Sequence, residues 1–353
     1  MSAPDTIATN LRALSRLRWL EVAFWLAAAA TIVVFPNRYL ILTEVAWLGL
    51  FALSLDLILG YAGIVSLGHA AFFGVGAYSA GLLAKHGIIT EPAIALVIAG
   101  LAATVLGFAT SFLVTRGADL TRLMVTLGIA LLLRELANRF SDITGGFDGL
   151  QGIVIAPLFD RFEFDLFGKV GFIYSLAVLF ILFVVARRIV HSPFGLSLRA
   201  IKNNPLRAAA IGIPVNRRLI MIYTIAAFYA GVAGALSTQT TALASLDVFS
   251  FERSADLLLV LVVGGVGYLY GGLIGAVIFK FLQDWLAALT PQYWQFWIGL
   301  VLVIIVLVGR ERMRRWAGLP ARDLSALLGL TKSSSNKPEI NKPQQPASDG
   351  SKP

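Results

Sequence analysis

Cysteine is missing from all 353 residues, which excludes a disulfide framework and any zinc or iron–sulfur centre held by thiolates. Histidine occurs only three times, leaving little for metal chemistry, so no cofactor is expected on this chain. Charged residues are scarce at 14%, against 58% hydrophobic, and the mean hydropathy is +0.79. A single water-soluble core has no use for so much apolar surface, and most of the chain is expected to face lipid or other spans. The net charge of +9 sits beside apolar runs and in the tails, where membrane topology accounts for it, so nucleic acid is not an expected partner. A phosphate-binding loop of the form GxxxxGK[ST] is also missing: the only Gly-Lys pair, Gly168 and Lys169, is followed by Val170. The chain is therefore not expected to hydrolyse ATP, and no nucleophile with a base and an orienting group marks it as an enzyme.

What the sequence does contain is a series of apolar runs. The spacing predicts membrane segments at 19–35, 44–59, 66–83, 92–114, 123–136, 170–186, 219–239, a short one at 257–266, one ending near 289, and a last one at 294–308. The predicted fold is an all-α polytopic membrane protein of about ten segments, some short or broken at glycines. Residues 1–18 form a basic cytoplasmic N-terminus, 19–310 the transmembrane domain, 311–330 a cytoplasmic basic segment, and 331–353 a tail too polar to fold. Arg310, Arg312, Arg314 and Arg315 must lie inside, so ten crossings put both termini in the cytoplasm, whereas nine would not. Trp19, Trp285, Trp294, Trp297 and Trp316 fall near span ends, as interfacial anchors do.

Two glycine-dense stretches interrupt the pattern. Gly60-Tyr61-Ala62-Gly63 separates the second and third spans, and Gly264, Gly265 and Gly267 break or partly re-enter the eighth. In 219–239 the small residues Ala227, Gly231 and Ala235 form one ridge and Ala230, Gly234 and Thr238 another, so this helix is expected to pack closely against its neighbours.

Between the sixth and seventh spans lies the most polar interior loop, 191–218, HSPFGLSLRAIKNNPLRAAAIGIPVNRR. Leu196, Arg199, Ala200 and Asn203, then Leu206, Ala209 and Ala210, recur at helical spacing, so one short amphipathic helix is expected, stopped by Gly212 and Pro214. Arg199, Lys202, Arg207, Arg217 and Arg218 place it in the cytoplasm. It is either an ordinary basic membrane loop or a docking element, since a helix rigidly joined to two spans can transmit movement.

Few ionisable groups fall inside the predicted spans. Asp56 costs at least about 2.5 kcal/mol if it faces lipid, so it is expected to bond a neighbouring helix, line a pathway or sit near the interface. Ser66 and His69 are read as sharing one helical face, His69 as a packing residue or a substrate contact. Glu135 and Arg139, four apart, are expected to pair.

Three stretches carry a family resemblance: GYAGIVSLGHAAFFGVGAY from Gly60, GLSLRAIKNNPLRAAAIGI from Gly195 and LVVGGVGYLYGGLIGAVIF from Leu261. In this order they resemble the permease subunits of bacterial ABC importers for branched-chain amino acids, over about residues 40–310. The resemblance implies a heterodimer with a second permease subunit in the bacterial inner membrane. It also implies two cytoplasmic ATPase subunits that carry ATP and magnesium, a periplasmic substrate-binding protein, and the helix arrangement of the vitamin B12 type of importer. On this resemblance Arg199, Asn203, Asn204, Arg207, Ala208, Ala209 and Gly212 belong to the loop that couples to the ATPase, and Asp56, Gly60, Gly63, Ser66 and His69 are candidates for the translocation pathway. This chain has Asn203-Asn204-Pro205 where relatives commonly carry an acidic residue, Asp56 where asparagine is frequent, and Ile64 where glutamine is frequent. The implied cargo is a branched-chain or related amino acid, an amide or urea. A stand-alone channel or secondary transporter is the competing reading, but it needs neither a docking loop nor the three motifs.

Overall fold

The computed structural model describes residues 19–308 apart from 118, 160 and 166. The expectations for the basic N-terminus, the 311–330 segment, the tail, Trp316 and the terminal arginines therefore lie outside the described residues. Of these, residues 19–303 belong to one compact unit.

Each expected segment is a helix. They are α1 (Trp19–Val34), α2 (Tyr39–Leu55), α3 (Ala70–Lys85), α4 (Pro92–Arg116), α5 (Asp119–Arg139) and α6 (Lys169–Val190), followed after the basic loop by α9 (Val215–Thr241), α10 (Phe251–Gly264), α11 (Leu269–Leu289) and α12 (Trp294–Val308). The loop itself contains α7 (Pro193–Asn203) and α8 (Pro205–Ala210). Among the described residues five helices are long and apolar enough to cross a membrane: Tyr39–Tyr61, Pro92–Arg116, Lys169–Val190, Val215–Thr241 and Leu269–Leu289. The others fall short for identifiable reasons. Helix α10 has 14 residues and reaches about 21 Å, less than a hydrocarbon core of about 30 Å. Helix α5 is long enough but carries Arg122, Arg134 and Glu135.

The breaks differ from the expectation in a physically informative way. The chain does not stop at Gly60; α2 continues as a π-helix over Asp56–Ala62, ends at Gly63 in the left-handed region (φ 76), and runs without helix to His69. Ser66 therefore precedes α3 and shares no helical face with His69, which occupies the N-cap of α3. The second break lies at 265–268, after Gly264 rather than within it. Glu135 and Arg139 are both exposed, and no ion pair joins them. Among the described residues, ion pairs link helices: Arg187 with Glu21 at 2.9 Å ties α6 to α1, and Lys280 with Glu44 ties α11 to α2.

The centre of the bundle is α9, packed against α4, α3 and α2. Its small residues make this possible: a Cβ on Gly231 would collide with Ala103 of α4, and one on Gly234 with the Phe73 carbonyl of α3. In return, a Cβ on Gly76 of α3 would strike the Gly231 carbonyl. At one end of the bundle the buried Gln239 donates to the Pro92 carbonyl at 2.8 Å and accepts from the Tyr174 hydroxyl at 3.2 Å, joining α9, α4 and α6. At that same end the long α5–α6 connection touches the α9–α10 connection, where the Leu150 amide donates to the Ala244 carbonyl at 2.7 Å. The basic loop lies at the opposite end.

Candidate functional site

The loop folds as two helices rather than one because Pro205 holds the residue before it extended: Asn204 has φ −161 and ψ 103. Asn204 then caps α8, its Oδ1 accepting from the Arg207 amide at 2.9 Å, as Ser192 caps α7 by accepting from the Gly195 amide. Helix α8 closes on Gly212 (φ 88), with the Gly212 amide bonding the Ala209 carbonyl and the Ile213 amide the Ala208 carbonyl.

The two helices divide their surfaces sharply. Gly195, Ser197, Leu198 and Ile201 of α7, with Ala208 of α8, are buried, so Ala208 supports the loop from within. Arg199, Asn203, Arg207, Ala209 and Gly212 are exposed. Alongside them stand two large apolar side chains, Leu206 at 82% exposure and Ile211 at 74%. The sequence reading named neither as a site residue, although apolar residues on a charged loop are a signal for a covered surface.

Toward the bundle, α7 grips the π-helical end of α2. The Lys202 ammonium donates to the Gly60 carbonyl at 2.6 Å, its stem lies against Gly63, and the Arg199 guanidinium sits 5.3 Å from the Tyr61 ring centre. In the same turn, Asp56 is fully buried and its Oδ1 accepts from the Gly267 amide at 2.7 Å. Gly60 has to be glycine here, because a Cβ would overlap the Asp56 carboxylate. Asp56 and Gly60 of the π-turn, Lys202 of α7 and Gly267 of the α10–α11 break, three separate stretches of sequence, thus meet at one junction. The residue missed by sequence reading is Lys202, counted only as loop charge.

Ser66 and His69 are not at that junction. The His69 ring is wholly buried, stacked on Phe51 and edge-on to Phe72. Because the Ser54 hydroxyl donates to the Phe51 carbonyl at 2.6 Å, its oxygen accepts from His69 Nε2 at 2.8 Å, which assigns the proton to Nε2. Ser66 is buried with no hydrogen-bond partner for its hydroxyl. The non-helical stretch around it is held by two side chains that sequence reading did not single out. The Leu67 amide donates to Thr126 Oγ1 at 3.3 Å, and the Ala70 amide to Ser254 Oγ at 3.0 Å.

Asp56, Ser66 and His69 are fully buried, so this conformation presents them to no open channel. A cavity of about 240 Å³ lies elsewhere, between α1, α2, α6 and α11, and is lined by groups such as Phe24, Trp25, Ala46, Phe172 and Leu273. Thr31 supplies the one hydroxyl of its lining, and that hydroxyl is spent on the Ala28 carbonyl. Such walls offer nothing to a charged amino acid. Among the described residues no group of three or more histidines and carboxylates could hold a metal.

Residues 37–306 match the family described as branched-chain amino acid transport system, permease component. The chain is 28% identical over 283 residues to the high-affinity branched-chain amino acid transport system permease protein LivM of Escherichia coli (strain K12), an alignment covering 73% of this chain and 65% of LivM. It thus spans a little under two thirds of that relative's length. It is 29% identical over 285 residues to the ribose import permease protein RbsC of Bacillus subtilis (strain 168), covering 77% of this chain and 84% of RbsC. It is also 25% identical over 216 residues to the galactose/methyl galactoside import permease protein MglC of Salmonella typhimurium, covering 56% of this chain and 61% of MglC. No solved structure matches the chain at a significant level. The family match takes in the basic loop, the π-helical junction and both helix breaks, and with it the chain belongs to the family of branched-chain amino acid transport system permease components.

Proposed function

We propose that the chain is the membrane-spanning permease subunit of an ATP-driven ABC importer in the bacterial inner membrane, moving branched-chain or related amino acids into the cytoplasm by alternating access. The single observation that supports this reading most is the two-helix loop 191–218. It exposes Leu206 and Ile211 with Asn203, Arg207 and Gly212, while Lys202 and Arg199 hold it to the π-turn of α2. Exposed apolar groups within a cationic rim suit a groove on a soluble partner. The partner in this reading is one of two cytoplasmic ATPase subunits, which carry the ATP and magnesium that this chain has no motif to bind. A second permease subunit completes the pathway, and a periplasmic binding protein supplies cargo and affinity. Both termini lie in the cytoplasm in this arrangement.

A sugar is the second reading for the cargo, favoured by the extent of the match to RbsC, 84% of that protein's length. Purification of the tagged full-length chain from native membranes in mild detergent, with mass-spectrometric identification of what stays bound, tests the assembly. Two P-loop ATPases and a second permease are the expected companions. The co-purified or co-encoded binding protein, titrated with leucine, valine and ribose, then distinguishes the cargo classes. Recovery of the chain alone, with transport indifferent to ATP, would contradict the proposal and favour a stand-alone channel or secondary transporter.

A further inference from the structure

Asp56 uses only half of its carboxylate. Oδ1 accepts from the Gly267 amide at 2.7 Å, whereas Oδ2 is buried without a hydrogen-bond partner. A buried, half-satisfied carboxylate is costly, so its retention calls for an explanation beyond the anchoring of one amide. One turn on, Gly60 is pressed against that same carboxylate and offers its carbonyl to the Lys202 ammonium at 2.6 Å. The π-turn therefore carries two neighbouring ties, one to the cytoplasmic loop and one to the α10–α11 break. Both partners are backbone groups at sites where the helical ladder is interrupted. Gly60 lies within the wider π-turn, and Gly267 (φ 84) lies between two helices.

We infer that Lys202 and Asp56 are a pair of positioning residues that carry displacement of the loop helix α7 through the π-turn of α2 into the α10–α11 break. The inference rests on the coupling role proposed above and names the route by which movement at the loop enters the bundle. The arrangement offers two discrete states. In the one observed, Lys202 holds the Gly60 carbonyl and Oδ2 is unpaired. In the other, α7 shifts by about one hydrogen-bond length and the ammonium exchanges to Oδ2. The Gly60 carbonyl that Lys202 holds belongs to the residue pressed against the Asp56 carboxylate. An interaction that changes partner between two states is what lets a packed bundle respond in steps rather than deform continuously. The charge matters as well as the hydrogen bond: asparagine at 56 would keep an acceptor for Gly267 but offer Lys202 no opposite charge.

The test uses the full-length chain in its assembled complex, with Lys202→Met, Lys202→Arg, Asp56→Asn and Asp56→Ala compared with wild type. The first readout is substrate taken up per ATP hydrolysed in proteoliposomes. It is expected to fall by about tenfold in Lys202→Met and Asp56→Ala, to fall less in Asp56→Asn, and to recover to within about threefold of wild type in Lys202→Arg. The second is hydrogen exchange, which does not depend on transport. Amides at 265–269 are expected to exchange about tenfold faster in Lys202→Met, with peptides from α4 and α9 unchanged. Acceleration across the whole bundle would reduce Lys202 to a stability residue and overturn the inference. So would an unchanged exchange rate at 265–269, or a wild-type uptake-to-hydrolysis ratio in Lys202→Met. If wild-type uptake proves indifferent to ATP, the proposed function fails on its own account, while the exchange data still decide whether the tie exists.

Discussion

His69 and Gly212 illustrate how differently two motif residues are used. The His69 ring is enclosed by Phe51, Phe72 and Ser54, with no accessible surface. Ser54→Ala leaves the Nε2 proton without an acceptor and is expected to cost about 1–3 kcal/mol. A lowered thermal midpoint in detergent with an unchanged KM for uptake would agree with a packing role; an altered KM at an unchanged midpoint would make His69 a cargo contact. Gly212 is the reverse case, with open space around it but a backbone (φ 88) that only glycine adopts without strain. Gly212→Val is expected to cost about 1–2 kcal/mol locally and to open the turn that ends α8. The amount of chain in the membrane should stay near wild type while uptake per ATP hydrolysed falls, and normal coupling in that variant would count against a role for the turn.

Helices follow from the apolar runs, and their positions were legible in the sequence to within a few residues, because twenty apolar residues in lipid have no other way to satisfy their backbone groups. The interruptions were less legible, since their causes are distant. Gly60 reads as a break from its neighbours alone, yet α2 runs on past it as a π-turn, where Asp56 meets the Gly267 amide 211 residues away. The division of the basic loop at Asn204 did leave a local signal, an asparagine before proline, which caps one helix while ending another. Of the candidate site, Asp56, Gly60 and the exposed arginines were legible, whereas Lys202, Thr126 and Ser254 act through contacts that no sequence spacing reveals. The ridge of small residues on α9 was legible too, and it makes a sharp prediction. Gly231→Leu drives a side chain into Ala103 and is expected to destabilise the bundle by about 3 kcal/mol, seen as loss of the monodisperse peak in size-exclusion chromatography. Gly128→Ala on α5, where nothing lies within 4 Å of the added methyl, should leave that peak intact. Equal behaviour of the two variants would contradict the packing described for α9.

At the scale of the whole molecule, the bundle is closed at one end by the Gln239 and Leu150 contacts and gripped at the other by the loop. Among the described residues several long-range ties fall at helix breaks, as at Gly267 and Ala70, which suits a protein that must rearrange without coming apart. Ion pairs tie α6 to α1 and α11 to α2. A soluble partner on the loop is what would couple the bundle to ATP. Replacing Leu206 and Ile211 together by serine should leave the thermal midpoint unchanged, since both are exposed, while reducing retention of the ATPase through purification. The most direct measurement places a photo-activated cross-linking amino acid at Leu206 in the full-length chain, illuminates intact membranes and identifies the adduct by mass spectrometry. A P-loop ATPase joined to position 206 is the expected adduct; lipid alone, or a protein that has no nucleotide-binding motif, would contradict the docking role of the loop.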